Sequence, residues 1–271
     1  MLGTDVVRVA EQGGHEVVGL SHEDLDITNF GAVEHVMSAE HPEVLINCAA
    51  WTDVDGAESN LEEATKVNGH GARNLAAATA MFGCKIMLPS TDYVFDGEKG
   101  EPYVESDPVN PMSAYGKSKL GGEGETIANN PRHFIVRSSW LFGTSGKNFV
   151  DTMLNLGHSV DEVAVVKDQV GCPTYTGHLA EGLVRLMEWD DFGIFHMAGA
   201  GECSWYEFAV EIFEQAGVEC QVLSQTTDML DRPAPRPPYS VLVSERDPAV
   251  YLPDWRDGLA AFLAERAEAP A

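Results

Sequence analysis

The chain has 271 residues, of which 44% are hydrophobic and 22% are charged, and its formal net charge is −26 at pH 7. This composition is typical of one or two folded domains and excludes a disordered chain, a collagen and a small disulfide-rich scaffold. The strong negative charge argues against binding to nucleic acid or to an anionic membrane surface.

The apolar, cysteine and histidine patterns exclude further classes. No run of about 18 apolar residues is present, so no membrane-spanning helix is predicted. The N-terminus lacks the pattern of a signal peptide, and we therefore expect a cytoplasmic protein. The five cysteines form no C-x-x-C motif and the nine histidines no H-x-x-x-H motif, so we predict neither a disulfide framework nor a metal site.

Apolar runs typical of strands alternate with helical segments. The predicted strands are 16–20, 43–50, 84–90, 133–139, 162–166 and 193–198, and the predicted helices between them are 4–12, 30–40, 61–82, 114–129 and 149–157. Continuous rather than alternating apolar strands indicate a parallel sheet that is covered on both faces. The fold class predicted is therefore α/β, a doubly wound, Rossmann-like parallel sheet.

The pattern changes after residue 168. Helices are predicted at 177–189, 204–216 and 255–266, with a short strand at 219–223 and the proline-rich segment RPAPRPPYS at 232–240. We therefore predict a dinucleotide-binding domain over 1–168. Residues 169–271 would form mainly a smaller C-terminal substrate-binding lobe, with the chain crossing between the two.

A Tyr-x-x-x-Lys motif falls on the predicted helix 114–129. Tyr115 and Lys119 are four residues apart and therefore share one helix face. A nearby ammonium group lowers the pKa of a tyrosine and favours acid–base chemistry. The alternative is an exposed helical pair without a role.

Thr91 follows the predicted strand 84–90, where a hydroxyl faces the expected ligand crevice. The alternative is a turn or capping residue. Together, Tyr115, Lys119 and Thr91 would supply a proton donor, its activator and a second hydrogen-bond donor for a carbonyl oxygen.

Six segments carry a resemblance to a known family. In chain order they are NCAAWTDVDGAE (47–58), STDYVFDG (90–97), YGKSK (115–119), RSSWLFG (137–143), DQVGCPT (168–174) and RPPYS (236–240). Together they resemble the dTDP-4-dehydrorhamnose reductases, a family of extended short-chain dehydrogenase/reductases. The resemblance implies that NAD(P)H delivers hydride to C4 of a nucleotide-linked 4-keto sugar, with Tyr115 as proton donor, Lys119 as its activator and ribose ligand, and Thr91 at the carbonyl.

The resemblance also implies a binding site. The cofactor positions are Gly3, Asp26, Ile27, Thr28, Ala49, Ala50, Thr52 and Asn68, together with Tyr115 and Lys119. The substrate positions are Thr91, Tyr93, Trp140, Arg236 and Ser240. Helix capping by Asp26 or Thr28, close packing of the alanines, a core role for Trp140 and a structural loop around Arg236 are the alternatives. A nucleotide sugar is the expected partner, and a homodimer is compatible with the family.

Two details bear on the reaction and the cofactor. Related sugar dehydratases have Thr-Asp-Glu where this chain has Thr91-Asp92-Tyr93, so reduction is favoured over elimination. Leu20, Ser21 and His22 place no acid directly after the predicted second strand, although Glu23 and Asp24 are close, so NADPH is favoured and NADH is the alternative. The alternative functions are a non-catalytic subunit similar to the regulatory subunit of methionine adenosyltransferase, or another nucleotide-sugar reductase or epimerase.

The start of the chain departs from the family pattern. A nucleotide-binding α/β fold opens with a strand, a glycine-rich turn and a helix, whereas here only Gly3 resembles the last glycine of that turn. A start assigned too late and a truncated version are both open. In either case we expect weak NADPH binding, because the loop that would hold the pyrophosphate is missing.

The 43 acidic residues are spread along the chain against 17 basic ones. Either the protein is adapted to concentrated salt, as in halophiles, or it is an ordinary acidic protein.

If the surface is salt-adapted, the melting temperature will rise strongly from about 0.01 M to about 1 M NaCl, as the Debye length falls from about 30 Å to about 3 Å and screens the repulsion. Thermal unfolding followed by circular dichroism measures this. A melting temperature independent of salt would leave the acidity without that explanation.

Overall fold

The computed structural model describes residues 1–268. Its helices are α1 (Leu2–Gln12), α2 (Phe30–Glu40), α3 (Val54–Ser59), α4 (Leu61–Thr65), α5 (Ala72–Met81), α6 (Ala114–Asn129), α7 (Phe149–Gly157), α8 (Thr176–Met187), α9 (Trp205–Ala216) and α10 (Trp255–Glu268). Its strands are β1 (Val44–Ile46), β2 (Lys85–Thr91), β3 (His133–Ser138), β4 (Leu141–Phe142), β5 (Glu162–Val166), β6 (Val170–Gly171), β7 (Thr174–Tyr175), β8 (Gly193–His196), β9 (Cys203–Ser204) and β10 (Gln221–Gln225).

A four-stranded parallel sheet forms the centre of the fold, in the order β1-β2-β3-β8. Apolar side chains leave the sheet on both faces. On one face, Met87 and Phe134 pack with Leu183 of α8, while on the other Ile86 packs with Met37 of α2 and Leu75 of α5. Burying such a side chain contributes about 1.5–3 kcal/mol. The predicted α/β class with a covered parallel sheet is confirmed.

The remaining strands form three small pairs, β5 with β10, β4 with β7 and β6 with β9. Segment 162–166, predicted for the main sheet, lies instead beside β10. Its first three residues are not buried, so it lacks the two-sided cover of the central strands. A second core of aromatic side chains, including Phe142, Phe208 and Trp255, joins the elements of this part of the chain. The domain boundary at residue 168 stays a prediction. β8 lies after this residue and yet belongs to the main sheet, so the chain crosses between the two parts.

Two predicted elements are wrong in detail. Residues 16–20 form no strand, and Val18 is 53% exposed. A strand forms only beside a partner, and within residues 1–268 none pairs with the outer edge of β1. The single helix predicted over 61–82 is divided into α4, a π-helical turn at Lys66–Gly71 and α5.

In the described part of the chain, no helix is both long and apolar enough to cross a bilayer. The same residues contain no cluster of three His, Cys, Asp or Glu side chains arranged to hold a metal ion.

The open edge of β1 gives a prediction about stability. A variant with about five strand-forming residues and Gly-x-x-Gly joined ahead of Met1 is expected to pair with β1 and to give 16–20 a neighbour, because the edge presents unpaired backbone groups. Its urea midpoint and its NADPH affinity would both rise. A Gly/Ser extension of equal length is the control, and equal values for the two extensions would contradict the prediction.

Candidate active site

Thr91 is the last residue of β2 and is buried, with 6% of its surface exposed. Its Oγ1 accepts a hydrogen bond from the Tyr93 amide at 3.2 Å and donates to Asp92 Oδ1 at 3.0 Å. The hydroxyl thus begins the short 3-10 turn Asp92–Val94. Thr91 therefore lies at the carboxyl end of a central strand, where ligands of this fold class bind, and it also caps a turn, the alternative role given above.

Helix α6 brings Tyr115 close to Thr91. Ser113 caps the helix by accepting a hydrogen bond from the Gly116 amide at 3.1 Å. Gly116 lies so near the 3-10 turn after β2 that a Cβ atom there would be 2.3 Å from the Tyr93 carbonyl oxygen. The rings of Tyr115 and Tyr93 meet edge to face with their centroids 5.6 Å apart. A larger residue at 116 would push the catalytic tyrosine candidate away from the strand.

Lys119 lies one turn after Tyr115 and is buried, with 6% of its surface exposed. Its Nζ donates to the Pro89 carbonyl oxygen of β2 at 2.8 Å. Burial lowers the pKa of Lys119 to about 8, and the negative charge of Glu123 opposes that effect. Most of the lysine is therefore still charged at pH 7.

The pKa of Tyr115 changes in the direction opposite to our prediction. Burial raises it to about 12, and a hydrogen bond with Thr91 offsets only part of this rise. Lys119 is not among the groups that shift this pKa, and its ammonium donates instead to the Pro89 carbonyl oxygen. Tyr115 is therefore protonated at neutral pH and is able to donate a proton.

Sequence reasoning gave no role in the site to Asp92. Its carboxylate is fully buried and accepts a hydrogen bond from Ser240 Oγ at 2.6 Å. Burial raises the pKa of Asp92 to about 6, while the hydrogen bonds from Ser240 and Thr91 act in the opposite direction. Ser240, predicted to contact substrate, thus ties the RPPYS segment to the strand end. The only sequence signal for Asp92 was its place directly after Thr91.

Arg236 of RPPYS has a carboxylate partner. Its guanidinium donates to both carboxylate oxygens of Asp55 on α3, at 3.1 and 2.8 Å, and Ala234 donates its amide to the same side chain at 3.2 Å. Burial raises the pKa of Tyr93, and the nearby charge of Arg236 opposes part of that rise. The segment is thus fixed between α3 and Tyr93.

Several predicted cofactor positions cluster around Asn68. This side chain accepts a hydrogen bond from the Trp51 amide at 2.8 Å and donates to the Trp51 carbonyl and Ser118 Oγ. It belongs to the π-helical turn, whose backbone approaches α6 so closely that a Cβ on Gly122 would be 2.2 Å from the Asn68 carbonyl oxygen. Asn68 therefore fixes the loop after β1, which carries the exposed or half-buried positions Ala49, Ala50 and Thr52.

The start of α1 lies at the same edge. A Cβ on Gly3 would be 3.3 Å from Cys48 Cβ, so the helix begins beside the loop after β1. No side chain caps this helix, and its first amides are therefore available to an anion.

The segment predicted near adenine folds on itself. The exposed Asp26 accepts hydrogen bonds from the amide and hydroxyl of Thr28 at 2.9 and 2.8 Å. The Ile27 side chain is buried in the core beside Gly71, and Asn74 donates to the Ile27 and Thr28 carbonyls. Ile27 therefore has a packing role.

A buried ion pair lies beneath the site. Glu123 of α6 accepts two hydrogen bonds from the Arg137 guanidinium of β3, at 3.0 and 2.7 Å, and one from Ser90 Oγ at 2.5 Å. Both charged side chains are almost completely buried. Glu123 lies four residues after Lys119 and therefore on the same side of α6. Sequence reasoning missed this spacing, which was the available signal that Glu123 lies near the site. The pair fixes α6 to two strands.

The residues present fit the nicotinamide-ribose half of a dinucleotide. Lys119 Nζ has three hydrogens and only one bond to a protein oxygen among residues 1–268, so it has further donors for ribose hydroxyls. The uncapped start of α1 suits a phosphate. Among residues 1–268, Gly3 is the one residue at which the resemblance expects part of the glycine-rich turn.

A cavity of about 500 Å³ lies elsewhere, lined by residues that include Lys167, Val170, Glu202 and Tyr206. None of the residues that line it belongs to the group Thr91, Tyr115 and Lys119.

Removing the negative charge of Glu123 is expected to destabilise the fold by about 3–5 kcal/mol, because Glu123→Gln leaves the Arg137 charge buried without a counter-ion. Urea unfolding measures the change. Glu34→Gln, on the exposed side of α2, is the matched control and should cost little. A similar decrease in the free energy of unfolding in the two variants would show that the buried ion pair stabilises the fold no more than an exposed charge does.

The chain is similar to known proteins over almost its whole length. The family model for the RmlD substrate binding domain matches residues 1–268. The spore coat polysaccharide biosynthesis protein SpsK of Bacillus subtilis is 40% identical over 270 residues, which cover 99% of this chain and 95% of SpsK.

Two solved structures are similar over their whole length. The dTDP-4-dehydrorhamnose reductase of Clostridium acetobutylicum has a TM-score of 0.95 and 45% identity, and that of Bacillus anthracis, in complex with NADP, has a TM-score of 0.95 and 37% identity. Each match covers 97% of this chain and 95% of the other. These coverages do not confirm the predicted truncation. The chain belongs to the RmlD family of NAD(P)-dependent nucleotide-sugar reductases, within the extended short-chain dehydrogenase/reductases.

Proposed function

We propose that the chain reduces the C4 carbonyl of dTDP-4-dehydro-β-L-rhamnose to give dTDP-L-rhamnose. The observation that carries the proposal is the convergence of Thr91, Tyr115 and Lys119 at the carboxyl end of β2. NADPH, when bound, supplies the hydride. The protein must then place the carbonyl, protonate its oxygen and stabilise the charge that develops there.

Tyr115 donates the proton. Its pKa of about 12 keeps it protonated before the reaction, and a proton donor is needed as negative charge forms on the C4 oxygen. Such a positioned acid contributes typically 10²–10⁴-fold. The ammonium of Lys119, one turn along the helix, holds ribose hydroxyls with the hydrogens that the Pro89 carbonyl oxygen leaves free.

Thr91 is the second hydrogen-bond donor. Its proton is directed to Asp92 in this structure. A carbonyl oxygen between Tyr115 and Thr91 would compete with Asp92 for that proton. Asp92, with a pKa of about 6, thus sets how readily Thr91 turns to the substrate.

NADPH is favoured over NADH. Neither Glu23 nor Asp24 directly follows segment 16–20, and Asp24 accepts hydrogen bonds from the amide and hydroxyl of Ser21. A free acid at this place would select NADH. The Bacillus anthracis relative, whose structure contains NADP, supports the same choice.

The alternative within the family is a reductase for another dTDP-linked keto sugar. A non-catalytic binding subunit is the alternative of a different class. The half-buried proton donor with its adjacent, buried lysine supports the enzyme over the binding subunit.

The test is Tyr115→Phe, which removes the proton donor and keeps the ring. We expect kcat for dTDP-4-dehydrorhamnose reduction to fall by roughly 100-fold or more with little change in KM, because the lost interaction acts in the transition state. NADPH consumption by wild type and variant measures this. Tyr251→Phe, at a tyrosine that is 71% exposed, is the control. Wild-type turnover by Tyr115→Phe would overturn the proposed mechanism.

A further inference from the structure

Trp140 has an unusual backbone for a bulky residue. Its φ angle is +49°, in the left-handed region that residues with a Cβ atom avoid. Neighbouring bonds hold it there, since the Thr174 amide donates to the Trp140 carbonyl at 3.2 Å and Ser139 Oγ donates to the Cys172 carbonyl at 2.7 Å. Such strain persists only where the surroundings impose it, and it is typical of functional sites.

The place of Trp140 connects this strain to the active site. Trp140 follows β3 by two residues, and Ser138, the last residue of that strand, lies in register with Thr91 of β2. Trp140 therefore emerges at the sheet edge that carries the reactive hydroxyl groups. Its side chain is half-buried, so part of the ring is open to a ligand.

A second tryptophan fixes the ring. The indoles of Trp140 and Trp205 are stacked with their centroids 3.6 Å apart and their planes within 7° of parallel. Trp205 is the first residue of α9, directly after a capping box in which Ser204 and Glu207 bond each other's backbone amides. Trp205 is thus attached to a rigid helix start. The ring of Phe149 packs against the Trp205 indole, with the ring centroids 4.6 Å apart.

Gly171 limits the ring from another side. A Cβ atom at this position would be 2.6 Å from Cε2 of the Trp140 indole. Any side chain at position 171 would therefore displace either the Trp140 ring or strand β6, to which Gly171 belongs. Trp140 is held by a stacking partner, by a close backbone contact and by its own strained backbone.

We infer that Trp205 and Gly171 are positioning residues that hold the Trp140 indole against the hexose of the nucleotide sugar. This inference rests on the proposed function. An indole presents an apolar surface, which suits the methyl-bearing edge of a 6-deoxyhexose. Trp205 and Gly171 touch neither the cofactor nor the reacting atoms, so they act on hexose affinity through Trp140.

The experiment compares the binding of dTDP-L-rhamnose and of dTDP, which lacks the hexose, by calorimetry in the presence of NADP⁺. Trp205→Ala and Gly171→Ala are each expected to weaken dTDP-L-rhamnose binding roughly tenfold, the order expected for loss of an aromatic contact, and to leave dTDP binding unchanged. Trp205→Phe, which keeps a flat ring, should restore most of the affinity. Trp189→Phe, in a separate core cluster, is the control.

A double-mutant cycle separates this role from a general loss of structure. If Trp205 acts only through Trp140, Trp205→Ala will have no further effect on hexose affinity in a Trp140→Ala background. Additive losses, or equal loss of dTDP and dTDP-L-rhamnose affinity in a variant, would overturn the inference. So would a wild-type chain that binds both ligands equally. Discrimination for the hexose without reductase turnover would overturn the proposed reaction alone.

Discussion

Glu123 of α6 carries a buried carboxylate that pairs with the guanidinium of Arg137 on β3. Because each charge neutralises the other, both are able to lie inside the protein. The same carboxylate accepts a hydrogen bond from Ser90, the residue before Thr91. Together with the close approach of Gly116 to the turn after β2, this pair determines how near the helix lies to the sheet. The distances among Thr91, Tyr115 and Lys119 follow from it, because one residue is on the strand and two are on the helix. Since charge-assisted bonds are directional, they fix the rotation of the helix as well as its distance.

The reactive groups could be predicted from the sequence because their spacing is local. Tyr115 and Lys119 share a helix face by periodicity alone, and Thr91 follows a clearly apolar strand. The partners of these residues could not be predicted, because Ser240 reaches Asp92 from 148 positions away and such pairs leave no periodic signal. The pKa of Tyr115 was predicted in the wrong direction, because burial by residues distant in the sequence raises it. The strand at 16–20 failed for a related reason, because its apolar pattern has no effect without a neighbour.

Two contacts join the proline-rich segment to the nucleotide-binding part of the fold. Ser240 bonds Asp92 at the end of β2, and Arg236 bonds Asp55 on α3. In the first contact a neutral hydroxyl donates to a buried carboxylate. In the second, a charged guanidinium pairs with the half-exposed carboxylate of Asp55. Salt screens the exposed pair more than the buried bond. Positions 236 and 240 of the segment are therefore held by interactions that respond differently to ionic conditions.

The edge of β1, which has no partner strand among residues 1–268, also bears on how copies of the chain associate in solution. A strand edge with unpaired amides and carbonyls is a template for the edge of another chain, and pairing of this kind leads to association. With a net charge of −26, two copies repel each other at low ionic strength, and this repulsion keeps their edges apart. Added salt shortens its range and removes the barrier while it relieves repulsion within each chain. For residues 1–268, the salt that relieves repulsion within one chain is therefore the same salt that lets its β1 edge approach the edge of another chain.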